Sequence, residues 1–280
     1  MVGRGASQVA DVKVPAALRT VMLLQALGKA GQPMTAQSLA TRLGIPRSSI
    51  YQLLEVLEAE GFVVHFPEDR RWSLGVAAFE LGSAYLRHDP LERFALPILN
   101  RLLVQVGNLT PGGFAAIGQV GILDGTDLLY LLKGQTLAHS QSNLTVVTDV
   151  GVRLPAHLTA SGRSMLARLS KSQLRANYPA ANDGKLALRT DIGPANVKEL
   201  TQLLSTEREA GFSTEIGMVS PGYGSVAASA CNHLNIPVAA FAVTFRTDRL
   251  DAEHLEMLQR AIAPMVRQAA NELTKRLGAK

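Results

Sequence analysis

Five residues suited to nucleic-acid contact lie close together: Arg47, Ser48, Ser49, Tyr51 and Gln52. Guanidinium, hydroxyl, phenol and amide groups are the types that bond phosphates and base edges. Ile50, Leu53, Leu54 and Leu57 stand among them at i, i+3, i+4 and i+7. That spacing predicts a helix with one buried stripe and the polar residues on or near its opposite face. Arg70 and Arg71 sit in a predicted hairpin beyond it, and Thr35 can cap the helix before it. Glu55, Glu58 and Glu60 would repel phosphate and are expected at the far end. The competing reading is a small helical bundle with ordinary solvated polar residues.

A second stretch, Leu158-Thr159-Ala160-Ser161-Gly162, opens a predicted helix with small residues. Backbone N–H groups exposed there could hold a carboxylate, aided by the helix dipole. A plain Ser/Thr cap would look the same. Little else suggests chemistry. His65, His88, His139, His157, His233 and His254 include no pair at i, i+3 or i+4, so no metal site is expected. There is no G-x-S-x-G elbow and no Walker loop. Gly222 to Ala227 fits the weak form G-x-G-x-x-A, but Pro221 precedes it and a strand-like run follows, against a dinucleotide site. Cys231 is the single cysteine, which excludes an intramolecular disulfide and a thiolate cluster. No cofactor is expected.

These groups need elements to hold them. At 280 residues the chain predicts about two domains, and 47% hydrophobic with 18% charged residues supports a sizeable core. Residues 1–13 are Gly/Ala/Ser-rich and predict a disordered lead-in. Residues 14–75 predict a winged helix-turn-helix. Its helices are Ala16 to Leu27, Ala36 to Leu43 and one from Pro46 to about Glu60, with breaks at Gly28, Gly31 and Pro33 and a turn at Gly44. Its strands are Phe62 to Phe66 and Arg71 to Leu74. Residues 76–90 predict a linker helix.

Residues 91–280 mix helices at Leu91 to Val106, Ser161 to Leu169, Val197 to Gly211 and Ala252 to Leu277 with strand-like runs. Those runs are Phe114 to Gly118, Val120 to Leu123, Leu128 to Leu132, Leu144 to Val150, Ser225 to Asn232 and Val238 to Phe245, with a hairpin turn at Gly125.

The charge is lopsided. Net charge is +5, and residues 1–53 hold six basic residues against Asp11 alone, while the other 22 basic and 22 acidic residues cancel. Such asymmetry suggests an N-terminal module that meets a polyanion. The longest apolar stretch, Ile236 to Phe245, is far short of the roughly 18–20 residues of a membrane span, and Met1 to Val14 has no apolar core of a secretory signal. No membrane partner is expected, and the cytoplasm is the expected compartment.

Several ordered motifs then coincide: Gly44-Ile45-Pro46-Arg47-Ser48-Ser49-Ile50-Tyr51-Gln52-Leu53-Leu54 with Trp72-Ser73-Leu74-Gly75, and Leu154-Pro155-Ala156-His157-Leu158-Thr159-Ala160-Ser161-Gly162-Arg163. Glu209-Ala210-Gly211-Phe212, Ser225-Val226-Ala227-Ala228 and Pro237-Val238-Ala239-Ala240 complete them. With these the chain resembles an IclR-family transcriptional regulator from about Val14 to Gly278. The resemblance implies an α+β fold: a winged helix-turn-helix domain, a linker helix, and a GAF-like effector-binding domain with a central antiparallel sheet. It implies double-stranded DNA with a palindromic operator as one partner, a small organic acid as another, and a homodimer or dimer of dimers. By motif position the effector pocket should include Leu144, Val146, Ala160, Ser161, Glu215, Tyr223, Ser225, Ala242 and Thr244.

This chain departs from the family pattern in places. Gln52 stands where Arg is usual, weakening a phosphate contact and favouring adenine, which glutamine reads bidentately. Glu215 remains of a more acidic stretch, Ser225 replaces a frequent Cys and Ala242 a frequent Ser. The expectation is a repressor whose effector, slightly favoured as an aromatic carboxylate, is held by the Ala160-Ser161 amides with Ser225 and Thr244. Leu144, Val146 and Tyr223 would enclose it. Two rivals stay open: an enzyme acting on a small carboxylate with a fused helical module, and a ligand-sensing module that ignores DNA.

Overall fold

A computed structural model describes residues 14–88, 90–110, 113–137, 144, 146–179, 184–248 and 250–278. The expected lead-in at 1–13 lies outside the described residues. The chain divides into two compact units, Met1–Asp89 and Pro90–Lys280.

The first unit runs α1 (Pro15–Ala30), β1 (Met34–Thr35), α2 (Ala36–Leu43), α3 (Arg47–Ala59), β2 (Val63–Phe66), β3 (Arg71–Leu74) and α4 (Val76–His88). Its three strands pair antiparallel in the order β1-β3-β2. α1 continues through Gly28, where a break was expected, and ends at left-handed Gly31. A lone glycine costs a helix about 1 kcal/mol against alanine, and burial of Leu23, Ala26 and Leu27 offsets it. Thr35 caps α2 by accepting from the Ser38 amide at 3.1 Å, and Gly44 turns the chain with φ of 65°. Pro46 is the residue before α3 rather than its first helical residue. Leu23, Leu39, Ile50, Leu54 and Trp72 form the core. β1 is too short for any periodicity to announce it.

The second unit runs α5 (Pro90–Gly107), β4 (Ile117–Asp124), β5 (Asp127–Gln135), β6 (Arg153–Pro155), α6 (Ala160–Leu166), α7 (Lys171–Asn177), α8 (Val197–Ala210), β7 (Ser213–Ile216), β8 (Tyr223–Cys231), β9 (Pro237–Arg246) and α9 (Ala252–Arg276). Six strands pair antiparallel in the order β6-β5-β4-β9-β8-β7.

Strand alternation sorts the two faces. Val226, Ala228 and Ala230 of β8 and Phe241, Val243 and Phe245 of β9 join α5 and α9 in the main core. The opposite face carries small or polar residues: Ser225, Ala227 and Ser229 on β8, Ala240, Ala242 and Thr244 on β9. Ala160 of α6 packs there on Ala227 and Ala242, so the helix backbone comes close to the sheet.

Several expectations are corrected here. Phe114 to Gly118 and Val120 to Leu123 are not two strands. One strand, β4, runs through Gln119 and is bulged at Val120/Gly121. Residue 144 and residues 146–150 form no strand. Asp149 instead accepts from the Val150 amide at 2.8 Å, and Gly151 turns left-handed. Such local bonds compete with a sheet ladder. Gly222 to Ala227 leads into β8 and opens no helix, which removes the dinucleotide reading. α7 went unread although Ser170 and Gln173 form a complete capping box.

Candidate DNA-facing surface and effector cavity

α3 presents Arg47, Ser48, Tyr51 and Gln52 to solvent, while Ser49 is half-buried and Ile50 and Leu54 are fully buried. Arg47 is held in place: its Nη2 donates to the Tyr51 hydroxyl at 3.2 Å, and its guanidinium carbon lies 5.5 Å from that ring's centre. An oriented cation loses less freedom on meeting a phosphate. Glu55, Glu58 and Glu60 are exposed on the C-terminal half of the helix or just past it. Arg70 is exposed in the β2–β3 turn with φ of 51°. Arg71 is exposed and also donates to the Pro33 carbonyl, bracing β1. Thr35 is half-buried, its hydroxyl bonded to Ser38.

In the second unit a cavity of about 30 Å³, room for roughly one or two waters, opens between α6 and the small-residue face of the sheet. Eight expected residues line it: Val146, Ala160, Ser161, Glu215, Tyr223, Ser225, Ala242 and Thr244. Leu144 does not. Its segment is no strand, so alternate residues there do not share a face, and Val147 and Thr148 join Val146 instead.

Thr159, from the small-residue stretch singled out in the sequence, also lines the cavity, as do Gln119, Tyr130, Val219 and Ser220, which were missed. Gln119 and Tyr130 had a signal, since each interrupts an apolar strand with a hydrogen-bonding group. Val219 and Ser220 are brought in by a turn, for which one-dimensional spacing has no sign.

A row of polar side chains crosses the cavity floor. Glu215 on β7 stands opposite Ser225 on β8, and Ser225 opposite Thr244 on β9. Ser225 and Thr244 share a 2.9 Å hydrogen bond. Thr244 donates to Gln119 Oε1 at 3.3 Å, and Gln119 Nε2 donates to the Thr148 hydroxyl. The loop wall is thereby tied to the floor. Glu215 Oε1 accepts from the Met218 and Val219 amides at 2.7 and 3.1 Å. Burial pushes the Glu215 carboxyl above the usual carboxylate range, and those two amides pull it back. Burial, then the charge of Glu215, raises the Tyr130 phenol and keeps it neutral.

The start of α6 completes the wall. The Thr159 hydroxyl accepts from the Gly162 amide at 3.0 Å, while the first N–H groups of a helix have no intrahelical partner. Gly162 is fixed by space, because a Cβ there would lie 2.3 Å from the Ala156 carbonyl oxygen. Gly162→Ala must shift backbone. It is expected to destabilise this unit by about 1–3 kcal/mol, read as a lower midpoint in urea with unchanged slope.

A winged helix-turn-helix followed by a mixed helix–sheet unit is the architecture of a DNA-binding transcription regulator. Residues 16–66 match the IclR helix-turn-helix domain, and residues 83–275 match the domain described as Bacterial transcriptional regulator IclR C-terminal. The chain belongs to the IclR family of bacterial transcriptional regulators.

It is 25% identical over 276 residues to the HTH-type transcriptional repressor AllR of Escherichia coli strain K12, covering 98% of this chain and 94% of that one. It is 24% identical over 273 residues to the Transcriptional repressor IclR of the same strain, covering 98% and 93%. Among solved structures, an IclR regulator from Alicyclobacillus acidocaldarius has a TM-score of 0.78 at 22% identity, covering 95% of this chain and all (100%) of that one. An IclR homologue from Microbacterium hydrocarbonoxydans, complexed with 4-hydroxybenzoate, has a TM-score of 0.71 at 21% identity, covering 94% and 98%. These relatives are named as regulators and repressors, not as enzymes. Among the described residues no three His, Cys, Asp or Glu could hold a metal, and no helix is long and apolar enough to cross a membrane.

Proposed function

We propose that this chain is a cytoplasmic repressor whose grip on a palindromic operator is set by a small organic acid bound in the α6 cavity. The observation that carries the acid is the cavity itself. Val146, Val147, Ala160 and Ala242 make part of its lining apolar, and Ser225, Thr244 and Ser161 offer hydroxyls to a carboxylate. An aromatic acid is favoured over a short keto acid, and the relative holding 4-hydroxybenzoate supports that preference.

The cavity as it stands is small for an aromatic ring, so a bound acid has to widen it, and the Gln119–Thr148 bond is one of the contacts such widening would strain. An acid that binds only the opened form shifts the population toward it. α3 enters the major groove with Arg47, Ser48, Ser49, Tyr51 and Gln52, while Arg70 and Arg71 meet the backbone from the wing. Two or four copies act together, and α4 leaves Val76, Phe79 and Leu81 largely exposed for another copy to cover.

Calorimetric titration with 4-hydroxybenzoate, benzoate and pyruvate, with gel shifts on DNA flanking the chain's own gene, tests this. A specific shift weakened by one of the acids is expected. Tight binding of neither class removes the carboxylate, and a shift indifferent to sequence removes the operator.

A further inference from the structure

We infer that the cavity takes up its acid anion together with one proton, held by Glu215 as the neutral partner of the ligand's carboxylate. The inference rests on the acid-effector reading above and adds the charge balance of the site.

The first support is what the cavity lacks. Among the described residues its lining holds one carboxylate, Glu215, itself only 3% exposed, and no Lys, Arg or His. Two carboxylates confined in one cavity cannot both ionise cheaply, as paired acids sharing a site show. The Met218 and Val219 amides favour the ionised form in part, but the titratable side chains facing Glu215 do not relieve this. Tyr130 of β5 and Tyr223 of β8 are phenols. The charge of Arg163 on α6 reaches Glu215, but that cation is already engaged. Its Nε donates to Glu207 of α8 at 2.9 Å, its Nη1 to the His157 carbonyl at 3.2 Å, and its Nη2 to the Thr214 carbonyl. Its formal charge is thus balanced by Glu207 before any ligand arrives.

The second support is the direction of the polar row. The Thr244 proton goes to Gln119 Oε1, so the Ser225–Thr244 bond takes the Ser225 proton. Ser225, opposite Glu215 in register, then has only lone pairs to turn toward that carboxyl, which a protonated Glu215 would satisfy and an ionised one would not. With Glu215 ionised, the row must run the other way, with Ser225 donating to Glu215 and the Gln119 amide turned over. An anion seated at Ser225 and Thr244 competes for those same hydroxyl protons, which leaves fewer for an ionised Glu215.

The sign follows from linkage. If binding adds a proton, affinity is highest where Glu215 is neutral in both forms. Above that, over the range where Glu215 is ionised when free and neutral when bound, Kd rises about tenfold per pH unit.

Calorimetry of the full chain with 4-hydroxybenzoate, benzoate and pyruvate, in phosphate and in Tris from mildly acidic to mildly alkaline pH, counts the proton from the buffer-dependent enthalpy. The expected result is uptake approaching one proton per acid bound, with Kd rising as pH rises. E215Q, whose amide mimics the neutral carboxyl, should bind the same acid with no uptake and a flat pH profile. Binding by the wild type with no uptake and a flat Kd across the range overturns the inference, as does undiminished uptake in E215Q. The wild-type measurement stands without the variant. If none of the three acids binds the wild type, the acid-effector reading itself falls and this one with it.

Discussion

Arg163→Met is expected to cost the second unit about 3–5 kcal/mol, the usual penalty for stranding one charge of a buried ion pair. Arg163 is fully buried and joins α6 to three other places: Glu207 of α8, the Thr214 carbonyl of β7 and the His157 carbonyl before the helix. Ser213 donates to the second Glu207 oxygen at 2.8 Å, so the carboxylate is held on both sides. Burial pushes the Glu207 carboxyl up, and Arg163 opposes that most strongly. Without Arg163 the upward push wins, and Glu207 must bind a proton to stay inside. The folded form then holds more protons than the unfolded one. The variant should lose stability as pH rises from the ordinary carboxylate range through the raised folded value, and regain it on acidification. Thermal unfolding across pH measures this, at about 2–4 °C per kcal/mol for a unit of this size. Adding Glu207→Leu should recover part of the loss, since an uncharged pair strands nothing. A variant that unfolds at the wild-type temperature at every pH would show that the pair does not hold α6 in place.

The second large effect is on DNA. Arg47→Ala is expected to weaken operator binding and to lower the salt slope of log K by about 0.9, the contribution of one neutralised phosphate. Tyr51 orients the guanidinium, so Tyr51→Phe should produce a weaker version of the same change. Gln52→Ala should leave the slope alone and relax base preference by about 1–3 kcal/mol at one position, because an amide reads edges and carries no charge. Fluorescence anisotropy at several salt concentrations separates the two classes of contact. An unchanged slope in Arg47→Ala removes that residue from the backbone contacts.

The first unit was legible because its signals are local. Ile50, Leu54 and Leu57 repeat at helical spacing, Gly44 and Gly61 end helices, and Pro67 to Arg70 mark the hairpin tip. β1 was not legible, since two residues carry no period and pair only because Arg71 and Trp72 lie beside them. In the second unit long apolar strands were readable, but their pairing was not. β7 becomes an edge strand through its register with β8, a relation between residues such as Glu215 and Ser225 that spacing along the chain does not encode. The cavity shows the same division. Eight of its lining residues followed from motif position, whereas Gln119 and Thr148 meet across 29 residues of sequence. Only folding reveals that bond.

The close seating of α6 on Ala227 and Ala242 means the chamber's dimensions are set by methyl groups. One added carbon at Ala242 would trim the space available to a guest, and one removed would enlarge it, with no rebuilding of the sheet. Such a scaffold allows the volume beside α6 to be changed by single small steps while the winged helix-turn-helix unit stays unaltered.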